Sequence, residues 1–387
     1  MLEWSPARSC CRVAIFVAAA CHLVTAGTQG FTTDFLTQYA PLVYLCPGEV
    51  FLPSSIEFAL ESEQVLLNST LAQTTSGISQ PLALNESNLN FQTKNNAGSS
   101  YLTTQQSLGC DTCQNPAFLR GQDPSKHLIP VYAIVIQRDV NTTSVYYWLF
   151  FPYNYGRNVG LCFNNLPEAL LGGVLSKITG FFNKVFGGSS APSVGVTGPD
   201  AKLLSTSSSQ STAKCEGFQQ SIGNHVGDWE HVEVKFDTRT SSPKPLYVRL
   251  SQHDAGQIFN WGDPALKVQN GTHPVAFAAN GSHALYAATG VHQYTNMTIL
   301  DNVVGLTDTV GQGMLWDTSE EMVIATWRSD FNYTGDQSWL AWAGKWGNQA
   351  SGCDSNPINA LIQKASGECP LSSGLQGPAY YMGPNVN

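Results

Sequence analysis

The stretch GNHVGDWEHVEVKF, residues 223–236, decides the fold. From Asp228 onward it alternates. Asp228, Glu230, Val232, Val234 and Phe236 share one face of an extended strand, while Trp229, His231, Glu233 and Lys235 share the other. The first face runs into Val232, Val234 and Phe236 and is expected to point at a core. Two carboxylates then stand at the rim of an apolar interior, where an unpaired charge costs several kcal/mol or takes up a proton. A cation, an arginine, a histidine or a set of backbone N–H donors must offset them.

Working outward, other segments read the same way: LIPVYAIVIQ (128–137), SVYYWLFFPY (144–153), PLYVRLSQH (245–253) and HPVAFAA (273–279). They are rich in β-branched and aromatic residues and are separated by Gly, Pro, Asn and Ser clusters. That pattern predicts an all-β chain, an antiparallel β-sandwich forming a single domain over residues 27–387. One region interrupts it. Residues 165–187 space Leu166, Leu170, Val174, Ile178, Phe181 and Val185 as on a helix, and a Ser/Gly-rich tract follows. Residues 163–214 are therefore expected to form an inserted amphipathic helix with a flexible loop. The helix either packs on the sandwich or docks on a membrane surface or partner.

The first 26 residues read as a signal peptide. Arg8 and Arg12 precede a short apolar run, and Val24-Thr25-Ala26 offers a cleavage site. No later stretch is long and apolar enough for a transmembrane segment. The expected location is the secretory pathway, either extracellular or in a vacuolar lumen. The sequons at Asn68, Asn85, Asn141, Asn270, Asn280, Asn296 and Asn332 agree with a glycoprotein. Beyond residue 26 seven cysteines remain, and an oxidising lumen pairs most of them. By position, Cys162 and Cys215 clamp the base of the insertion, and Cys353 and Cys369 close a loop near the C-terminus. An odd count leaves one thiol over. The Cys110–Cys113 pair reads as structural.

Formal net charge is −9, from 19 Lys and Arg against 28 Asp and Glu. So acidic and lysine-poor a chain argues against nucleic acid as a partner. Six histidines fall between residues 225 and 292: His225, His231, His253, His273, His283 and His292. His225 sits in a turn flanked by Gly223 and Gly227, three residues ahead of Asp228. His225, Asp228 and Glu230 form an oxygen-rich set that suits a divalent cation, Ca²⁺, Mg²⁺ or Mn²⁺. In the plainer alternative Asp228 caps the turn and Glu230 pairs with Arg249. A third reading is a carboxylate-dependent glycoside hydrolase, with Trp148, Trp229 and Trp261 stacking on sugars. The chain lacks G-x-S-x-G, HExxH and P-loop motifs, so the residues point to a non-catalytic role.

Six blocks in order resemble the fungal vacuolar protein sorting-associated protein 62 family. They are YAPLVYLCPGEVFLPSSIEFAL (39–60), PVYAIVIQR with YYWLFFPYNYG (130–156), GNHVGDWEHVEVKF, YVRLSQHDAG (247–256), HPVAFAANGSHALYAATGVH (273–292) and AGKWGN (343–348). The resemblance implies an interaction role in vacuolar trafficking. A second, local similarity joins NHVGDWEHV to the GHRHDWE heptad of necrosis-inducing plant-pathogen toxins. Those toxins are β-sandwiches that bind a divalent cation and act on sphingolipid-bearing membranes. The heptad's first histidine matches His225, its aspartate Asp228 and its glutamate Glu230, while its second histidine is Gly227 here. That similarity implies a cation site, with a glycan, glycolipid or membrane surface as candidate partner.

Overall fold

The computed structural model describes residues 30–60, 65–69, 100–104, 117–159, 162–163, 214–215, 220–253, 255–299, 302–351, 363, 369 and 371–382. The signal segment, the helical insertion, Asn85, Cys110, Cys113 and Cys353 lie outside these residues.

Two sheets carry the fold. The larger has six strands in the order β12 (Ala255–Asn260), β11 (Lys244–Gln252), β10 (His225–Asp237), β5 (Thr142–Asn154), β4 (Val131–Gln137) and β19 (Met322–Thr326). The smaller has β13 (Val268–Gln269), β14 (His273–Ala278), β1 (Leu42–Tyr44) and β18 (Leu315–Asp317), with β15 (Leu285–Tyr286) also paired to β14. Four two-stranded ribbons complete it: β16 (Gly290–Ile299) with β17 (Asn302–Val310), β2 (Val65–Ser69) with β3 (Ser100–Thr104), β6 (Arg157–Val159) with β9 (Gln220–Ile222), and β7 (Cys162–Phe163) with β8 (Lys214–Cys215).

The chain is all-β as the alternation implies, but its sheets are mixed rather than purely antiparallel. β1 runs parallel to β14, and β19 runs parallel to β4. Both additions come from far along the chain. Parallel neighbours need a long connection, whereas hairpins give antiparallel ones.

β5 explains how the layers stack. Val145, Tyr147, Leu149 and Phe151 point into a core shared with Val43, Ala276, Leu285 and Trp316 of the smaller sheet. Tyr146, Trp148 and Phe150 point the other way, into a second core with Trp229, Trp339, Trp342 and Trp346. A strand buried on both faces reads as a continuous apolar run, which is what SVYYWLFFPY is. Its outer face is closed by the helix Ile56–Leu60, the 3₁₀ segment Gly335–Ala341 and the helix Pro378–Tyr381. Trp148 and Trp229 are consequently buried, 1% and 4% exposed, and do not present stacking faces to a sugar. Trp229 instead stacks on Trp339 with ring centroids 5.5 Å apart.

The register of β7 and β8 sets Cys162 directly opposite Cys215. Cys369 is disulfide-bonded, and Cys46 is a free, buried thiol. Of the sequons, Asn141, Asn270, Asn280 and Asn332 are exposed.

Gly227 shows why glycine is needed inside β10. Its φ is +67°, and an added Cβ would sit 1.9 Å from the Trp346 carbonyl oxygen. Gly227→Ala is expected to lower stability by about 2–5 kcal/mol, from left-handed strain plus overpacking. A urea midpoint within error of the parent would contradict that packing.

Candidate functional site

The opening of β10 brings Asp228 to a seam between the two sheets. Its strand partner β5 ends in Asn154, opposite His225. The turn after β14 delivers Ser282 and His283, and the segment after β1 delivers Glu49 and Phe51. Asp228 and His283 are both fully buried.

The pairing is direct. His283 Nδ1 lies 2.9 Å from Asp228 Oδ2, and His283 Nε2 lies 2.9 Å from the Phe51 carbonyl oxygen. With Asp228 ionised both partners are acceptors, so both ring nitrogens donate and the geometry fits an imidazolium at His283. Asn154 Nδ2 also donates to Asp228 Oδ2 at 2.9 Å. The ring lies flat on Phe151, with centroids 3.9 Å apart and planes 6° from parallel. Glu49 Oε2 stands 3.9 Å from His283 Nε2 and accepts from the Gly281 N–H at 2.6 Å.

Burial alone pushes the His283 pKa down. The hydrogen bond to Asp228 and the charges of Glu49 and Asp228 outweigh it and hold His283 above its usual value. Burial likewise pushes Asp228 up. The His283 hydrogen bond, the charges of His225 and His283 and the Asn154 amide reverse that and hold the carboxyl below its usual range.

The three residues singled out by the β10 motif are differently placed. His225 is buried, with Nε2 3.9 Å from Asp228 Oδ1. That oxygen accepts no hydrogen bond among the described residues. Glu230 is buried and accepts from Ser251 Oγ, which also receives the His231 N–H at 2.8 Å. Arg249 does not pair with Glu230. The β10–β11 register places it opposite Glu233, on the other face, with Nε 3.5 Å from Glu233 Oε2. No group of three or more His, Cys, Asp or Glu side chains that could hold a metal is found among the described residues.

The other histidines disperse. His273 Nδ1 meets the Ala40 carbonyl at 2.9 Å, His292 stacks on Tyr286, and His231 packs at a tilt against Trp148. His253 Nε2 lies 2.6 Å from Asp308 Oδ2, and Asp308 also accepts from Ser282 Oγ and Tyr286 OH. This second buried carboxylate fastens the β16–β17 ribbon to the turn that carries His283. The β10 motif gives no sign of either partner, since His283 and Asp308 lie 55 and 80 residues downstream. The available signal was the glycine-bearing turn NGSH at 280–283, where His283 itself adopts φ +59°.

Comparison with known proteins follows the same region. The family model for vacuolar protein sorting-associated protein 62 matches residues 212–367. Four of the six sequence blocks fall inside that span, and those at 39–60 and 130–156 lie outside it. The chain is 30% identical over 146 residues to vacuolar protein sorting-associated protein 62 of Saccharomyces cerevisiae, a match covering 33% of this chain and 30% of that protein. A second protein of the same yeast is 29% identical over 154 residues, with the same shares. The chain thus matches less than a third of the length of these relatives. Among solved structures, that of the non-toxic HaNLP3 protein aligns over 82% of this chain and 88% of its own, at 12% identity and a TM-score of 0.27. So low a score carries no inference about fold or chemistry. Among the described residues no helix is long and apolar enough to cross a membrane.

Two outcomes follow for the His283–Asp228 pair. His283→Gln leaves a buried carboxylate without its counter-charge and is expected to cost about 3–5 kcal/mol. A loss under about 1 kcal/mol in a denaturant titration would contradict a charged pair. The pH dependence is two-sided. His283 is raised in the fold, so its contribution is full below the ordinary value of 6.5 and is lost as pH rises through the folded value. Asp228 is lowered, so its contribution is full above 3.8 and is lost as pH falls through the folded value. Stability should therefore peak between those limits, with the alkaline decline reduced in His283→Gln.

Proposed function

We propose that this chain is a non-catalytic β-sandwich of the secretory route, in the vacuolar lumen or outside the cell. Its role would be interaction, as the similarity to vacuolar protein sorting-associated proteins suggests. The observation that carries this reading is the sealing of Asp228. An acid or base must reach its substrate within hydrogen-bond distance. Asp228 is fully buried, with one oxygen committed to His283 and Asn154. Glu230 is 7% exposed and held by Ser251. Neither carboxylate stands where a glycosidic bond could lie between them.

A specific observation favours a divalent cation as a second element of this function. Asp228 Oδ1 accepts no hydrogen bond among the described residues and faces His225 Nε2 at 3.9 Å. Two donors each about 2.2 Å from one ion span that gap at an obtuse angle. His225 would bind through a neutral ring, while Glu230, held by Ser251 two positions along the same strand face, would have to turn from that hydroxyl to become a third ligand. The ion would add positive charge beside a carboxylate that His283 already neutralises in part, which favours weak over tight binding.

Titration of Ca²⁺, Mg²⁺ and Mn²⁺ into chelator-treated protein by calorimetry tests this element. Binding to at least one ion is expected, lost in His225→Gln, a variant that leaves the His283–Asp228 pair in place. Flat heats for all three ions with folded protein would remove the cation from the proposal. Turnover of a glycan panel, abolished in Glu230→Gln, would overturn the non-catalytic reading.

A further inference from the structure

The sheet face that carries Trp229, His231, Glu233 and Lys235 is covered only in part. Segment Gly335–Ala341 and helix Pro378–Tyr381 close it over Trp148 and Trp229. Toward β11 and β12 side chains reach solvent: Ile258 is 53% exposed and the Arg249 side chain 39%. The register sets Ile258, Arg249, Glu233 and Tyr146 side by side across four strands.

Three of the chain's 19 basic residues meet on this open part. Arg138 Nη2 donates to Tyr146 OH at 2.6 Å, and its guanidinium lies 5.3 Å from the Tyr146 ring centroid. Lys235 Nζ lies 5.7 Å from the Tyr247 centroid. Arg249 faces Glu233, which is 2% exposed. Glu233 Oε1 accepts from Ser144 Oγ at 2.7 Å and Tyr247 OH at 3.2 Å. Its Oε2 accepts no hydrogen bond among the described residues, and the Arg249 Nε, 3.5 Å away, donates none. The buried carboxylate thus holds the guanidinium by charge, while the Arg249 side chain stays 39% exposed.

The floor beside these cations is aromatic. His231 lies 4.4 Å from Trp148 and 5.3 Å from Tyr146. Burial, with the charge of Arg249 added, pushes its pKa down to about 3, so the ring is neutral. Tyr381, 39% exposed, lies with its ring centroid 5.9 Å from that of the buried Trp148.

The geometry points to a binding site for an acidic saccharide, a pyranose carrying a carboxylate or sulfate. The Arg249 fork, flanked by Arg138 and Lys235, takes the oxyanion. The partly exposed Tyr247 and Tyr381 rings offer flat apolar surfaces to the sugar's C–H face. The three cations outnumber the carboxylates beside them, Glu233, which is turned inward, and Asp139, which feels the charge of Lys235, so the local charge favours an anion in an otherwise acidic chain. This gives a ligand class to the interaction role proposed above, at a place separate from Asp228.

Calorimetry at low salt with trigalacturonate, a sulfated galactose trisaccharide, neutral galactotriose and hexaglutamate tests it, each run with chelator and again with Ca²⁺. The acidic sugars should bind, the neutral sugar about tenfold or more weakly, and salt should weaken the interaction. Which acidic sugar binds tells carboxylate from sulfate. Arg249→Lys keeps the charge against Glu233 and should lose about tenfold in affinity through the missing fork. The double variant Arg249→Gln, Glu233→Gln leaves no buried unpaired charge and should lose binding while melting as a folded protein. Equal binding of galactotriose, equal binding of hexaglutamate, no binding of any acidic sugar, or unchanged affinity in folded Arg249→Lys would overturn the site. Because the runs with chelator and with Ca²⁺ are separate, failure here is distinguishable from failure of the cation reading.

Discussion

The contact between His283 and Asp228 is the constraint on which the seam of this sandwich depends. Each group alone would be intolerable at its depth, since a buried carboxylate or imidazolium loses its hydration without recompense. Together they fix four pieces of backbone: the entry of β10, the end of β5 through Asn154, the turn at 281–283, and the segment around Glu49 and Phe51. Ser282 in the same turn holds Asp308, and Asp308 holds His253 and Tyr286. Two charged clusters therefore share one turn and tie the sheets and the β16–β17 ribbon together. Buried ion pairs add less net stability than their geometry suggests. Here they join segments that lie far apart in the chain.

Much of this was legible in the chain. The alternation from Asp228 to Phe236 placed those side chains on the inward face, and Val232, Val234 and Phe236 do lie in the core between the sheets. It also raised the right question, what offsets Asp228, and histidine was among the answers it allowed. Which histidine was not legible. Periodicity sorts residues within one strand, while the partner of Asp228 arrives from a turn 55 residues later, and long-range pairing leaves no mark on local spacing. Closure of the outer face was missed for a related reason. The unbroken apolar run of β5 signals burial on both sides, but the tryptophans that seal it, Trp339, Trp342 and Trp346, come from a region without strand pattern. The parallel additions of β1 and β19 are likewise products of topology, not of composition.

The two faces of β10 divide the chemistry. The inward face carries charges that neutralise one another out of reach of solvent, and this favours architecture over acid/base work. The opposite face carries Arg249 and Glu233 at the boundary between a sealed aromatic core and open sheet. A chain with few basic residues has gathered three of them there beside tyrosine rings. Recognition at that face and order at the seam are compatible, because β10 connects them: the ion pair sets the strand, and the strand sets Glu233 and Arg249.

The protonation state of His283 tests the central claim most directly. In protein carrying ¹⁵N-labelled histidine, the ring nitrogens of His283 can be read by nuclear magnetic resonance at pH 6. The account predicts that both nitrogens carry protons, with the Nδ1 proton shared toward Asp228 and the Nε2 proton toward the Phe51 carbonyl. A neutral ring with one bare nitrogen at that pH would contradict it, since the proton of the Asp228 contact would then sit on the carboxyl or one of the two contacts would lack a proton.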